Sequence, residues 1–485
     1  RYSWYAPGGT ARIQAIGGAN GSLGGDISAT FINPAGLGFY KTGDFVFTPS
    51  YFFEKTKATY LGRTENQQTR KFTLNTSGVV FGSGGNGDVR GGAISLAFNR
   101  TADFNNNVMY RGQNNQSSYS QKFLEEIRNG NIKDANRVAS GFPFGTSLAF
   151  NTYWIDTVGG GSSNNFQFKT RAPISTGLLQ QNTLQTKGGI NEFALALAVN
   201  MRDKLMIGGT LGVPILNFER SGEYVEADAT TNMNNNFNYA MVQENLTTSG
   251  VGLNLKAGII YKPQESWRLG LAIHSPTMFM LTDKYSTTIT TDTENYKGTQ
   301  TQSSDFVAGS SGEFKYQLFT PYRVIGSVSY VLREIEDVRR QKGFISADIE
   351  YVNYAASSFE PDEESINDQG TRNYLNSLNN AVDRAHKGAL NFRVGGELKF
   401  TTLMVRAGAA YYGNPYRNIN GENGNRLNLS GGLGYRNKGV FVDLTYVHAM
   451  TKDVNFAYRL ESSPYFGANL KSTRGNALLT IGFKI

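Results

Sequence analysis

The sequence has no cysteine. Thiolate nucleophiles, disulfide staples and Cys-bound metals are therefore excluded, and an exported chain fits that absence. Histidine is scarce: His274, His386 and His448 are the only three and lie far apart in sequence. No nucleophile-and-base spacing is visible, so no catalytic residue, cofactor or metal ligand is expected and the chain reads as a non-enzyme. Nor is there a run of about 18 apolar residues, so no transmembrane helix is available. A dense basic run is also missing. The net charge is +8, but Lys and Arg are scattered, never more than two in a row, which argues against a nucleic-acid partner. The chain starts at Arg1 without a charged-then-apolar leader, and the expectation is that a signal peptide has been removed.

What is present is glycine (56 residues), aromatics (12%) and length (485 residues), at a mean hydropathy of −0.37. The length exceeds one ordinary soluble core. A membrane β-barrel evades that limit and hides its membrane signal, because only alternate residues meet lipid. The last stretch shows the pattern. Gly475, Ala477, Leu479, Ile481, Phe483 and Ile485 fall on one side of an extended strand, and Asn476, Leu478, Thr480, Gly482 and Lys484 on the other.

Thirteen further segments share this alternation: 44–62, 70–82, 89–101, 189–201, 204–228, 240–262, 266–290, 313–332, 343–357, 388–400, 403–414, 425–436 and 439–452. In 388–400, Leu390, Phe392, Val394, Leu398 and Phe400 oppose Asn391, Arg393, Glu397 and Lys399. Connections alternate in length. Short ones are 83–88, 202–203, 263–265, 333–342, 401–402 and 437–438. Long ones are 102–188, 229–239, 291–312, 358–387, 415–424 and 453–471, with a modest 63–69. Short turns on one side and long loops on the other characterise outer-membrane barrels. The expected fold is an all-β, 14-stranded antiparallel transmembrane barrel in the outer membrane, with both termini periplasmic.

Residues 1–43 are too rich in glycine for a strand. They fold only against walls supplied from elsewhere, which makes 1–43 an expected plug within the lumen of a barrel formed by 44–485. The loops 102–188 and 358–387 carry helical spacing, at Ser120 to Asn136 and from Tyr374 to Ala385, and are expected to cap the external mouth. In the first, Phe123, Leu124, Ile127, Phe142, Phe144, Phe150 and Trp154 form either a groove for a hydrophobic ligand or a small core that lets the loop fold. Gly91-Gly92 marks either a kink or gap in the third strand or an ordinary glycine bend. Pro214 and Pro276 suggest bulges. Arg393, Glu397, Arg406, Asp348 and Glu350, with Lys399, Lys256, Arg268 and Asp443, should point inward, either to bind a ligand carboxylate or as a paired interior network.

The amino-terminal run Pro7-Gly8-Gly9-Thr10-Ala11-Arg12, then Gly17-Gly18-Ala19, Leu23-Gly24-Gly25-Asp26 and Asn33-Pro34-Ala35-Gly36-Leu37-Gly38, resembles the FadL/TodX/OmpP1 family, more narrowly its Bacteroidota branch. That resemblance implies that Asn33, Pro34, Ala35, Gly36 and Leu37 form the family's hatch motif. It implies passive uptake of hydrophobic small molecules, such as long-chain fatty acids or aromatic hydrocarbons. Ligand would enter at the external loops, bind inside and leave sideways through a wall gap near the third strand, for which Gly91 and Gly92 are the candidates. Implied partners are that ligand and outer-membrane lipid with lipopolysaccharide. The alternative is a non-transporting subunit or shuttle of a Bacteroidota outer-membrane secretion or assembly complex, whose loops contact protein.

Overall fold

The computed structural model describes residues 2–4, 8–158, 166–308, 312–332, 342–417, 424–461 and 464–485. Pro7 of the amino-terminal run and nearly all of the expected turn at 333–342 lie outside them. Fourteen wall strands follow one another around a closed antiparallel ring. They are β1 (Asp44–Phe47 and Pro49–Tyr60), β2 (Arg63–Leu74 and Ser77–Gly84), β3 (Val89–Asp103 and Asn106–Asn114), β4 (Leu178–Met201) and β5 (Leu205–Asp228). Then come β6 (Tyr239–Gln264), β7 (Trp267–His274 and Met278–Asp292), β8 (Gly312–Phe319 and Arg323–Leu332), β9 (Gly343–Asn353) and β10 (Gly388–Phe400). The last four are β11 (Leu403–Tyr412), β12 (Arg426–Asn437), β13 (Val440–Asn455) and β14 (Ala468–Lys484). β1 pairs with β14 from Asp44 opposite Lys484 onward, which closes the ring.

The alternation decides which face meets lipid. Leu390, Phe392 and Val394 are 45–49% exposed, whereas Asn391 and Arg393 between them are 1% and 3% exposed. The apolar row is therefore the outer surface, as a bilayer requires. Aromatic rows bound this belt. Trp267, Tyr330, Phe400, Tyr435 and Phe483 lie near the short turns, and Tyr51, Phe53, Phe72 and Tyr446 lie toward the long loops.

The wall is uneven in height. β4 and β5 have 24 residues each and β11 has 10. A tilted strand crosses hydrocarbon in about 9–11 residues, so β4 and β5 stand well above the belt on the long-loop side. Several expected boundaries shift for that reason. Residues 63–69 are not a loop: the chain turns at Leu61 and Gly62, both at positive φ, and pairing resumes at Arg63. The expected loop 102–188 shrinks to 115–177, because strand pairing outlasts the apolar pattern on which the boundaries rested. Inside it are helices α3 (Ser120–Asn129), α4 (Ala135–Ser140) and α5 (Thr146–Asn151). Between 358 and 387, a short strand Ser358–Pro361 pairs back to β8 before the helix Gln369–Ala385. Pro214 lies within β5, where pairing to β6 lapses for two residues without a register change. Pro276 interrupts β7 between His274 and Met278.

Candidate functional site

Residues 8–43 thread the inside of the ring. Helix α1 (Ala11–Ala15) starts at Thr10, whose hydroxyl accepts from the Ile13 N–H and donates to Asp26 at 2.9 Å. Its ends are held by the wall. The Ala11 N–H donates to Thr480 at 2.7 Å, Thr445 donates to the Ala11 carbonyl at 2.6 Å, and Ser430 donates to the Ala15 carbonyl at 3.0 Å. Helix α2 (Ala29–Ile32) leads into a 3₁₀ turn at Pro34–Phe39. Asn33 joins the two and is fully buried. Its side-chain oxygen caps the turn by accepting from the Ala35 N–H at 3.1 Å. Its amide donates to the Gly21 carbonyl at 2.6 Å and to the Ile259 carbonyl of β6 at 3.2 Å. The expected motif thus ties the segment both to itself and to the wall. Wall glycines make the approach possible. A Cβ at Gly258 would fall 1.9 Å from Asn33 Oδ1, and one at Gly208 would fall 2.5 Å from the Pro34 carbonyl carbon.

Eight of the nine expected interior charges are buried on the inner face, and Lys399 is half-buried. Glu350 lies between Arg323, at 3.2 Å, and Arg393. Arg406 donates to Glu397 at 2.6 Å and to Asp443 at 2.5 Å, and Arg12 of the inner segment approaches Glu397 at 3.5 Å. Asp348 accepts from the Asn20 and Gly21 N–H groups at 3.1 Å each and from Ser327 at 2.5 Å. Lys256 pairs with Glu192, and Arg268 donates to the Leu23 carbonyl. The charges are paired internally, while Nε of Arg12, Nε and Nη1 of Arg393 and Nη2 of Arg406 are buried without a hydrogen-bond partner among the described residues. Among the described residues no three His, Asp or Glu side chains are grouped to hold a metal.

Above the segment is a cavity of about 50 Å³ lined by Tyr2, Trp4, Ile190, Pro214, Phe279 and Arg323, among others. That is well below the roughly 300 Å³ of an ordinary small-molecule pocket, so a long hydrocarbon does not fit it as it stands. A larger groove, about 450 Å³, involves Gly326, Ala347 and Ala409. The ladders behind it are unbroken. Most of its lining is outward-facing and apolar, with small residues alternating with large ones, but it also includes the inner-face residues Ser327, Asp348 and Arg393.

Gly91 and Gly92 are not at an opening. Gly91 pairs with Gly84 on one side and Asn200 on the other, and Gly92 with Ser83 and Val199. The irregularity is a bulge at Arg90 just before them. A break in the wall does border the third strand, but higher up. β2 and β3 pair from Ser77 opposite Phe98 down to Gly84 opposite Gly91. Above that level Arg63–Leu74 pairs only with β1, and Asn106–Asn114 only with β4. Side chains bridge this seam instead. Thr76 donates to Asn99 at 2.9 Å, Lys71 donates to Asn105 at 3.0 Å, Arg111 donates to Glu65 at 2.7 Å, and Tyr60 packs on Tyr110. The cause lies in β3. A second bulge falls between Arg100 and Ala102, and Arg100, Asp103 and Asn105 bind one another and the Gly188 carbonyl, turning the strand toward β4. The resemblance implied a wall gap near the third strand, but sequence reasoning placed it at the wrong residues. The signal was the run Arg63 to Arg70, which is polar at every position and needs no apolar side.

The loop set comes together, but as a packed core. Phe123, Ile127 and Trp154 are interior, with Leu124, Phe142 and Phe150 against them. Phe123, Ile127 and Trp154 can touch a ligand only if the cap opens, whereas Leu124, Phe142 and Phe150 are half-buried. Phe144 stands apart, 37% exposed, its ring 5.6 Å from Tyr285. The cap is latched by Glu226 of β5, which the sequence did not single out. Its carboxylate accepts from Ser118, the Tyr119 N–H at 3.1 Å, Tyr224 at 3.0 Å and Gln180 at 3.4 Å. No cation neutralises it among these contacts, and burial pushes its pKa above the ordinary carboxylate value despite the hydrogen bonds.

No family model matches the sequence, and no curated protein does. Solved structures do match. A Pseudomonas aeruginosa FadL homologue aligns over 99% of both chains with a TM-score of 0.58 at 12% identity. The Pseudomonas putida toluene transporter TodX aligns over 99% of both at 0.53 and 11%. A deltaS2 mutant of the TodX monoaromatic hydrocarbon channel gives 0.54 and 11% over 98% of both. With its lipid-facing belt, the chain is a transmembrane β-barrel that shares the closed 14-stranded fold of these FadL-like structures.

Proposed function

We propose that this barrel lets hydrophobic small molecules, of the long-chain fatty acid or aromatic hydrocarbon type, cross the outer membrane passively. The long loops face outward and both termini face the periplasm. Ligand is taken up at the cap, with Phe144 as a reachable apolar contact, and passes into the lumen as Tyr2 and Trp4 give way. Residues 8–43 act as the plug that keeps the lumen closed to polar solutes. Exit is sideways through the β2–β3 seam into the bilayer. The seam carries this reading, because it is the stretch of boundary between these neighbouring strands that side chains alone hold shut. Being passive, the path draws its direction from consumption of ligand on the inner side.

The cysteine-free background allows a clean test. Thr76→Cys with Asn99→Cys staples the foot of the seam. Val79→Cys with Leu96→Cys staples the paired region below it, where these residues already face each other. Uptake of radiolabelled oleate or toluene by cells should fall about tenfold with the first pair oxidised and recover with reductant. The second pair should have no effect. Equal uptake with the seam stapled would remove lateral exit. Stable copurification with large partners and no uptake in any variant would favour the complex-subunit role.

A further inference from the structure

On the outer face of β13, β14, β1 and β2, immediately above the aromatic row, cations collect without anions. Lys452, Lys471 and Lys57 are directly cross-strand neighbours, Lys452 opposite Lys471 and Lys471 opposite Lys57. Lys55 stands two residues nearer the membrane on β1, and Arg70 is opposite Phe53 on β2. All five are exposed. Below them lies the row of Phe72, Tyr51 and Tyr446, with Phe53 stacked on Tyr446 at 6.2 Å. Adjacent strands are about 4.8 Å apart and successive outward residues about 7 Å apart, so the five charges share one small patch.

Like charges directly opposite one another across strands destabilise a sheet. Elsewhere above the belt this wall avoids them: Lys187 is opposite Glu219, and Lys284 meets Glu313 at 3.4 Å. The carboxylates near the patch do not relieve it. Glu54 is buried on the inner face with Arg474, Glu65 binds Arg111, and Asp453 is opposite the buried Leu470. No carboxylate among the described residues pairs with the four lysines.

We propose that this patch binds the phosphates of a phosphorylated saccharolipid of the outer leaflet, of the lipid A type. The position selects that source over free phosphate. The cations stand at headgroup height, one to three residue pairs above aromatic side chains suited to the interface, and the apolar belt below accepts the acyl chains. Multivalent phosphate suits a cluster of lysines acting as point charges. The site rests on the long loops facing outward but not on transport, and it stands if uptake fails.

The test uses the full-length barrel in nanodiscs and bis-phosphorylated hexa-acyl lipid A as probe, read by native mass spectrometry. Wild type should retain the lipid. Lys57→Gln with Lys452→Gln and Lys471→Gln should weaken retention at least about tenfold, and the three Arg replacements should keep it. Lys187→Gln with Lys284→Gln should change nothing, and inorganic phosphate at millimolar concentration should not compete. Heat-modifiable gel migration confirms that each variant is folded. Equal retention of dephosphorylated lipid A, equal loss in the control variant, displacement by inorganic phosphate, or unchanged binding in the triple Gln variant would each overturn the site.

Discussion

The boundary between β2 and β3 is built in two ways. Its lower half carries eight cross-strand pairs, from Ser77 opposite Phe98 to Gly84 opposite Gly91. Its upper half, Arg63–Leu74 against Asn106–Asn114, carries none. In the lower half, outward Phe81, Ile94 and Leu96 meet lipid, and an unpaired backbone there would cost several kcal/mol per group. Pairing is therefore obligatory. In the upper half both faces of β2 are polar from Arg63 to Lys71, so water can satisfy the free backbone edge there. A side door is tolerable only where water reaches, which is why the break begins above Ser77 and not at Gly91-Gly92.

The contrast breaks most severely through the network that holds the continuous side together. Arg406→Ala leaves Glu397 and Asp443 as buried carboxylates without their main partner. Removing one member of a buried ion pair costs about 3–5 kcal/mol. The heat-modifiable band should shift to clearly lower temperature, and residues 8–43 should become susceptible to protease. Retained thermal stability would mean that water or Arg12 replaces the lost cation.

The cap sharpens the contrast at its upper end. Loop 115–177 continues directly from β3, and Glu226 ties its start to β5 across the mouth. Burial raises the pKa of Glu226. The folded cap therefore binds a proton more readily than the open one, and its contribution is complete below the ordinary carboxylate range. That contribution is lost as pH rises through the raised folded value. Amide hydrogen exchange in 118–155, corrected for intrinsic rate, should slow as pH falls from 7 to 5. Glu226→Gln should flatten that dependence. Faster exchange on acidification would reverse the assignment.

Much of this was legible in sequence because a bilayer imposes a strict rule. Leu390, Phe392 and Val394 had to face out once Asn391 and Arg393 lay between them, and the same alternation put Asp348, Glu350 and Arg406 inside. The rule lapses above the membrane. There β4 and β5 continue as strands with mixed side chains, so 102–188 reads as one long loop. The seam was hidden for a further reason. Pairing between neighbouring strands leaves no mark in either strand's own pattern. Gly91-Gly92 drew attention because glycine is visible, while the actual departure depends on how Arg100, Asp103 and Asn105 turn β3 toward β4. The cap core was visible as a set of apolar residues, but whether they enclose a groove or one another depends on three dimensions.

The smallest change in stability should be at Lys71, whose ammonium bridges the seam to Asn105 from an exposed position. Exposed polar bridges contribute about 0–1 kcal/mol, so Lys71→Ala should leave the melting behaviour almost unchanged. Transport responds to a different quantity. If the seam opens for exit, the bridge enters the barrier to opening, not the stability of the ring, whose ladders elsewhere are untouched. Uptake of oleate should then rise by about twofold in Lys71→Ala and return to the original rate in Lys71→Arg, which can still donate to Asn105. A variant that is equally stable and takes up ligand no faster would place the limiting step at the Tyr2–Trp4 stretch or in the cap, and the seam would be a passive consequence of the wet upper wall.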